Sequence, residues 1–449
     1  MELQIAKLVL MLLASDVAAT RLPQPEQGQV VLSQPNKGVG HFSEWSRETK
    51  KEFLIDWQAG RESEWTIVQG NEAGDLDSMT AALTWSYHLS HSTANTSNPL
   101  KAIALLQTPS IALDLRPENK LALDNSLMTQ GHEDLLKLDE IPEDPETLGE
   151  KLRGIVLVDH GEPLRKWRGA KVLSIFDHHV DPGFAPDAEP RIFEKTASCT
   201  TIVARQMLDE LEKLPEEYHM PHELLELILS AIAIDSGGLQ DDNTREADIE
   251  VSKRILARSN WAKKKLKKVM EDLDDQLSKA KKKLSHLGLR DLLRRDWKGD
   301  LVDTPSPRTP TVSLGLASIP FSMEEQIQKT DFQELFNWFA IEAAWTAEVG
   351  VDISIVLSKY KVKEHGKKKK YRQITLVVRD DVRIDQRQAD SLFQTVKKAI
   401  EESDSLDLVP WSRNDELSPR QIVWTDRSAA SRKVVRPIVE AAVKGWDEV

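Results

Sequence analysis

The residues best suited to chemistry are an acid and two imidazoles, Asp177-His178-His179, which close the apolar run Val172 to Phe176. Neutral imidazole is a common ligand of divalent transition metals, and carboxylate suits hard or borderline cations. Open α/β sheets place their sites at the carboxyl ends of strands, where this tripeptide would stand. Alone, it fits a loop cap equally well. Three further segments change the balance. Asn71, Asp75 and Asp77 follow the run Trp65 to Gln69, Asp159 follows Ile155 to Val158, and Asp235 follows a helical stretch from Glu223 to Ile234. An Asp at a helix start is ordinarily a cap, but separate caps would have to coincide at four rims. Hydrolysis of phosphoesters by hard metals needs this inventory. Two divalent ions ~3.5–4 Å apart, bridged by a shared carboxylate, can hold a hydroxide nucleophile and neutralise the leaving oxygen. Without metal, the carboxylates of Asp75, Asp77, Asp159 and Asp235 would repel and shift one another's pKa values.

The elements that must position these residues alternate in type. Strands are expected at Trp65 to Gln69, Ala102 to Leu106, Ile155 to Val158 and Val172 to Phe176. Helices are expected at Glu48 to Gly60, Asp75 to Ser90, Arg116 to Met128, from a Ser198 cap to about Leu211, and at Glu223 to Ile234. That order predicts a doubly wound, mainly parallel α/β sheet. Beyond Thr244 the character changes. Residues 251–300 carry 16 Lys/Arg against 7 acids, and Lys263 to Lys268 reads as a solvated helix face. A Pro-rich loop at Leu301 to Pro310 and a strand at Thr311 to Ile319 follow, then a helix at Phe332 to Val349. Val351 to Tyr360 and Tyr371 to Val378 should pair as a hairpin across Lys361 to Lys370, before helices at Gln386 to Glu402 and Arg432 to Trp446. The organisation expected is an extension (residues 1–60), an α/β catalytic domain (61–250) and an α+β domain (260–449), with the site in the cleft between the last two.

Composition bounds the function. A chain of 449 residues exceeds one ordinary core. Its 40% hydrophobic and 30% charged residues suit a globular protein, and a net charge of −13 argues against a general nucleic-acid binder. A single cysteine, Cys199, excludes a disulfide framework and thiolate zinc clusters. It stands just inside a helix start, where a thiol pKa can fall, although a packing role accounts for it as well. Leu8 to Ala14 has features of a secretory signal, with a packing helix in a cytoplasmic protein as the alternative. The run is far shorter than the ~20 residues of a membrane span. His88 and His91 lack acidic neighbours in sequence and read as surface residues.

Five motifs, in order, resemble the DHH phosphoesterases: Asn71-Glu72-Ala73-Gly74-Asp75-Leu76-Asp77-Ser78, Leu157-Val158-Asp159-His160, Asp177-His178-His179, Ser198-Cys199-Thr200-Thr201 and Ala233-Ile234-Asp235-Ser236. Arg295-Asp296-Trp297-Lys298 and Ala430-Ser431-Arg432-Lys433 resemble the substrate-binding motifs of the associated DHHA2 domain. The opening motif is similar to that of eukaryotic, yeast-type exopolyphosphatases and their prune relatives, whereas family-II inorganic pyrophosphatases have His where Asn71 stands. The resemblance implies that Asp75 and Asp159 hold one metal, and that Asp77, Asp159, His178 and Asp235 hold the other. Asp159 would bridge the two ions, which would hold a hydroxide between them. It implies His179 as a substrate-facing donor, Asn71 beside the first metal, Asp177 orienting the imidazoles, and Lys298, Arg432 and Lys433 on phosphate oxygens. Asn71 would favour Mg²⁺ or Mn²⁺. The implied activity is release of orthophosphate from the end of inorganic polyphosphate by a cytoplasmic protein, with a monomer favoured. A pyrophosphatase, a prune-like phosphodiesterase and a non-catalytic scaffold are the alternatives. Gly161, where the family often has Asn, and Ser236, where Thr is usual, are departures. The lysine-rich stretch Lys359 to Arg372 fits two readings: an edge-strand guard or a landing strip for a polyanion.

Overall fold

The computed structural model describes residues 41–92, 100–129, 132–141, 143–212, 220–364, 366–380 and 383–447. The signal-like run Leu8 to Ala14 lies outside the described residues.

The first sheet contains β1 (Trp65–Gln69), β2 (Lys101–Leu106), β3 (Leu136–Lys137), β4 (Gly154–Val158), β5 (Val172–Asp177) and β6 (Arg191–Phe193), in the order β3-β2-β1-β4-β5-β6. All its pairings are parallel. Every residue of β1 and β4 is buried, as expected when helices cover both faces and the strands become near-continuous apolar runs. Alternate residues go to opposite layers. Val68, Val156 and Val158 pack with the helices Leu76–Ser92, Cys199–Leu211 and His222–Ser236. Ile67, Ile155 and Leu157 pack with Phe53 of the helix His41–Gln58 and with Trp167. The helices Glu246–Arg258 and Leu266–Lys281 join this first core through Val251, Ile255, Met270 and Leu277.

The second sheet is mixed and contains β7 (Trp297–Asp303), β8 (Thr311–Ile319), β9 (Ile353–Glu364), β10 (Lys367–Val378), β11 (Leu408–Pro410) and β12 (Gln421–Asp426), in the order β11-β12-β10-β9-β8-β7. Only β8 and β9 pair in parallel. Leu316, Ile355 and Ile374 face the helices Gln386–Glu401 and Arg432–Lys444, while Ala317, Val356 and Val377 face Leu289–Arg295 and Leu335–Val349.

Two expectations needed correction here. Leu301 to Asp303 belong to β7, because the prolines of the supposed loop begin only at Pro305. Lys361 to Lys370 is not a loop. β9 and β10 stay paired to Glu364 and Lys367, and Gly366, just before β10, has a φ of 80°. Among the described residues no helix is long and apolar enough to cross a membrane.

Candidate active site

β1 and β4 are neighbours, but the chain leaves them toward opposite edges of the sheet. This is the topological switch point at which open α/β sheets bind ligands. Asp159 follows β4 with a φ of 64°, a left-handed conformation that Asp tolerates better than most residues. Its Oδ2 accepts hydrogen bonds from Asn71 Nδ2 and Ser78 Oγ, both at 2.6 Å, so the two strand exits meet at this carboxylate. Asn71 Oδ1 is itself taken by the backbone N–H of Ala73 at 2.9 Å. Asn71 therefore acts on Asp159 as a donor.

Asp159 is only 3% exposed, yet its Oδ1 accepts no hydrogen bond. His178 Nε2 lies 3.3 Å away. His178 Nδ1 faces the carbonyl of Thr196 at 3.2 Å and must donate to it, so a neutral ring presents the Nε2 lone pair toward the carboxylate. Two lone-pair atoms so close need a cation. Burial opposes a proton on His178, but Asp159, Asp77 and Asp177 outweigh it and push the ring up to about 10, so the acids here call for positive charge. Burial would likewise raise Asp159, but His178, His179 and Lys298 hold it at about 2. A divalent ion would do the same work without the proton. Ligand atoms of Asp159, His178 and His179 all lie within 4.8 Å of one another, and this donor set fits such an ion.

Asp75, Asp77 and Asp235 stand outside that close trio but within its electrostatic reach. Desolvation, then Asp159 and Asp75, push Asp77 up to about 6 despite His178. Desolvation, then Asp77, Asp75 and Asp159, push Asp235 well above the usual range. Asp235 lies in the last turn of its helix rather than beyond it. Asp75 and Asp235 line one cavity of about 110 Å³ with Arg116, Lys281 and Arg295. The expected Ser198 cap is replaced by one supplied from another helix. Asp77 accepts from the backbone N–H groups of Cys199 and Thr200 (both 2.7 Å), from Thr200 Oγ1 (2.7 Å) and from Ser198 Oγ (2.6 Å).

His179 donates Nδ1–H to Asp177 Oδ1 at 2.7 Å, which also accepts the His179 backbone N–H at 3.1 Å. Asp177 thus orients His179 alone, and the Thr196 carbonyl orients His178. His160 carried no assigned role in the sequence. Its Nδ1 donates to the Val158 carbonyl at 2.9 Å, its Nε2 is buried without a hydrogen bond, and burial lowers its pKa. Gly161 has a steric explanation, since a Cβ there would meet Pro182 Cδ at 2.7 Å and Phe193 Cε1 at 2.8 Å. Burial and neighbouring acids push the Cys199 thiol well up, and Sγ donates to the Phe176 carbonyl at 3.2 Å; the role is packing. His88 is fully buried 2.5 Å from Glu210 Oε2, and His91 stacks on Tyr87 with centroids 3.9 Å apart. His88 is therefore a core residue, and His91 is half-buried. Their partners lie a helical turn or a hundred residues away, so immediate sequence neighbours could not show them.

Asp75, Asp159 and Asp177 line a cleft of about 1360 Å³ together with bases of the second unit. Lys298 stands on β7, and Arg432 and Lys433 open the helix Arg432–Lys444. Asp296 fixes Arg432: Nη2 donates to Asp296 Oδ1 at 2.6 Å and to Ser318 Oγ at 3.1 Å, while Nη1 is buried without a partner. Desolvation opposes ionisation of Asp296, but Arg432 and Arg116 hold it at about 2. Arg295 lines the cleft and also acts as a latch. It donates to the Leu115 carbonyl and to Glu118 Oε1, both at 2.9 Å and both buried, and so joins the second unit to the first. Lys281, Lys359, Arg372 and Arg436 also line the cleft. Their approach depends on sheet register and helix packing that no local motif encodes.

The arrangement matches known proteins along most of its length. Residues 65–232 match the DHH family, N-terminal domain, and residues 275–442 the DHHA2 domain. The chain belongs to the DHH–DHHA2 superfamily. It is 27% identical over 419 residues to a Schizosaccharomyces pombe protein named "Putative exopolyphosphatase", covering 90% of this chain and 98% of that one. A Bacillus velezensis protein named "Probable manganese-dependent inorganic pyrophosphatase" is 29% identical over 120 residues, 26% of this chain and 37% of its own. The fold is shared with the crystal structure of a Methanococcus jannaschii protein described as a "putative family II inorganic pyrophosphatase". That match has a TM-score of 0.53 and 16% identity over 84% of this chain and 99% of the other.

Proposed function

We propose that the chain is a metal-dependent exopolyphosphatase, a hydrolase acting on phosphorus anhydrides that removes terminal phosphate from inorganic polyphosphate and releases orthophosphate. One observation carries the reading: a carboxylate–imidazole centre short of a cation and an arginine short of an anion line the same cleft. The match to a yeast protein named for this activity over nearly its whole length supports the choice of substrate.

Asp75 and Asp159 would hold one ion, and Asp77, Asp159, His178 and Asp235 the other. Mg²⁺ or Mn²⁺ bound there would supply a nucleophile from water at neutral pH and offset charge on the phosphoryl oxygens. Arg432 offers Nη1 to a phosphate oxygen while Asp296 holds the rest of its guanidinium in place, and Lys298 and Lys433 add point charges. His179, with Nδ1–H committed to Asp177, exchanges a proton with the substrate at Nε2. Asn71 and Ser78 steady Asp159, so that its second oxygen keeps a fixed position.

The test is direct. Purified protein is incubated with Mg²⁺ or Mn²⁺ and long-chain polyphosphate, tripolyphosphate, pyrophosphate or a cyclic nucleotide, while phosphate release and chain length are followed. Stepwise shortening of polyphosphate with release of orthophosphate is expected. Preference for pyrophosphate would favour a pyrophosphatase, cleavage of the cyclic nucleotide a prune-like phosphodiesterase, and no release from any substrate a scaffold.

A further inference from the structure

The register of β9 and β10 sorts the lysine-rich stretch into two unlike faces. Directly opposed pairs are Lys359 with Arg372, Lys361 with Lys370, and Lys363 with Lys368. Side chains opposite each other share a face, and so do residues two apart along a strand, so these six bases lie on one side of the ribbon. The other side pairs Tyr360 with Tyr371, Val362 with Lys369, and Glu364 with Lys367. There the tyrosine rings stack with centroids 6.0 Å apart, and Glu364 accepts from Tyr371 at 2.6 Å and pairs with Lys369 at 2.9 Å.

The all-basic face leads out of the cleft. Lys359 and Arg372, its first rung, line the cleft, and Arg372 keeps a buried Nε without a hydrogen bond. Pairing with β8 ends at Ser358 and pairing with β12 ends at Arg372, so the next two rungs stand clear of the sheet with all four lysines exposed. At ~3.4 Å per residue the three rungs span about 14 Å. Like charges directly across a strand pair are destabilising, and here there are three such pairs in succession. Desolvation lowers the Lys359 pKa, and Arg372, Lys370 and Lys361 lower it further, all of them on its own face. A guard against edge pairing needs charge on the ribbon but not like charge opposed rung by rung.

We infer that the cleft-side face of the β9–β10 ribbon, Lys361, Lys363, Lys368 and Lys370 beyond Lys359 and Arg372, is a track for the trailing part of a long polyphosphate chain whose end occupies the cleft. The track rests on the proposed activity and deepens it, since it makes the enzyme favour long chains. A linear polyanion answers the repulsion of each rung in turn, while a short substrate ends before reaching it. Among the described residues no row of aromatic side chains accompanies the bases on this face, which favours a chain of phosphates over a strand of stacked bases.

Two matched double variants test the track, each removing two lysines: Lys361→Gln/Lys370→Gln on the cleft side, and Lys367→Gln/Lys369→Gln on the other. KM for long-chain polyphosphate should rise about fivefold or more in the first, as expected for two exposed charge contacts, and less than about twofold in the second. KM for tripolyphosphate should be unchanged in both. Binding of long-chain polyphosphate in EDTA should weaken in the same order, and single-stranded RNA should compete poorly. Equal effects of the two variants, an equal effect on tripolyphosphate, or tighter binding of RNA would overturn the track while leaving the hydrolytic activity standing. Failure of the wild-type protein to hydrolyse either substrate would instead sink the activity, and the EDTA binding comparison would still decide whether the face holds the polymer.

Discussion

The acidic and basic sides of the cleft are built in opposite ways. On the acidic side three carboxylates are held by hydrogen bonds: four donors on Asp77, two on one oxygen of Asp159, and two on one oxygen of Asp177. Those contacts set the acids rigidly, yet leave Asp159 Oδ1 without a hydrogen bond and Asp235 pushed toward its neutral form by burial and then by its neighbours. The basic side uses long side chains with donors to spare, Arg432 Nη1 and Arg372 Nε among them. One side is precise and short of positive charge. The other is adaptable and short of negative charge. The difference places the exacting geometry where ions would bind and leaves the substrate to be gathered by charge.

The largest break in this contrast comes from Asp159→Ala. Phosphate release should fall to background, and the rise in melting temperature that Mn²⁺ gives the wild-type protein should vanish with it. A variant that still gains stability from Mn²⁺ would move the ion away from Asp159. Asp177→Ala leaves the proposed ligands in place but frees the His179 ring, so kcat should fall about 10–100-fold with little change in Mn²⁺ affinity. Across the cleft, Arg432→Lys keeps the charge and loses the fork that Asp296 anchors. A loss of about tenfold in kcat/KM is expected, the worth of one charge-assisted hydrogen bond; an unchanged value would mean that charge alone suffices there.

The acidic side also makes an unusual prediction about stability. In EDTA, Asp235→Asn should melt higher than the wild-type protein by roughly 2–4 °C if it relieves about 1 kcal/mol of repulsion, and it should have lost activity. A lower melting point would show that the acids are not in conflict. The smallest effect concerns Glu72, whose carboxyl desolvation pushes up to about 7 against the pull of Lys298 and the Gly299 N–H. Its folded pKa is raised, so between about pH 4.5 and 7 the unfolded chain gives up a proton that the folded chain keeps. Stability should therefore decline as pH rises through that window. Denaturant titrations at several pH values should show a shallower decline in Glu72→Gln.

Much of the first sheet was legible because its strands are buried on both faces and read as plain apolar runs; Trp65–Gln69 agrees to the residue, as does Thr311–Ile319 of the second sheet. Short strands such as β3 and β11 were not, since two or three residues carry no period and are defined by the neighbour that bonds them. The hairpin was cut short because repeated lysine reads as loop, although register with a partner strand overrides that preference. At the site, the acids and imidazoles could be named from their order along the chain. Their support could not. Asp77 caps a helix that begins more than a hundred residues later, and Thr196 works through its carbonyl, an atom every residue possesses.

The hydrogen bond from the Gly299 backbone N–H to Glu72 Oε1, 2.9 Å long, joins the residue after Asn71 to the residue after Lys298. It works as a ruler laid across the cleft. The cation side and the anion side are each one covalent step from its ends, so a change in spacing between the two sheets must stretch this contact early. The spacing between the proposed metal and phosphate sites is thus gauged by a backbone amide, which mutation cannot remove without replacing glycine by proline.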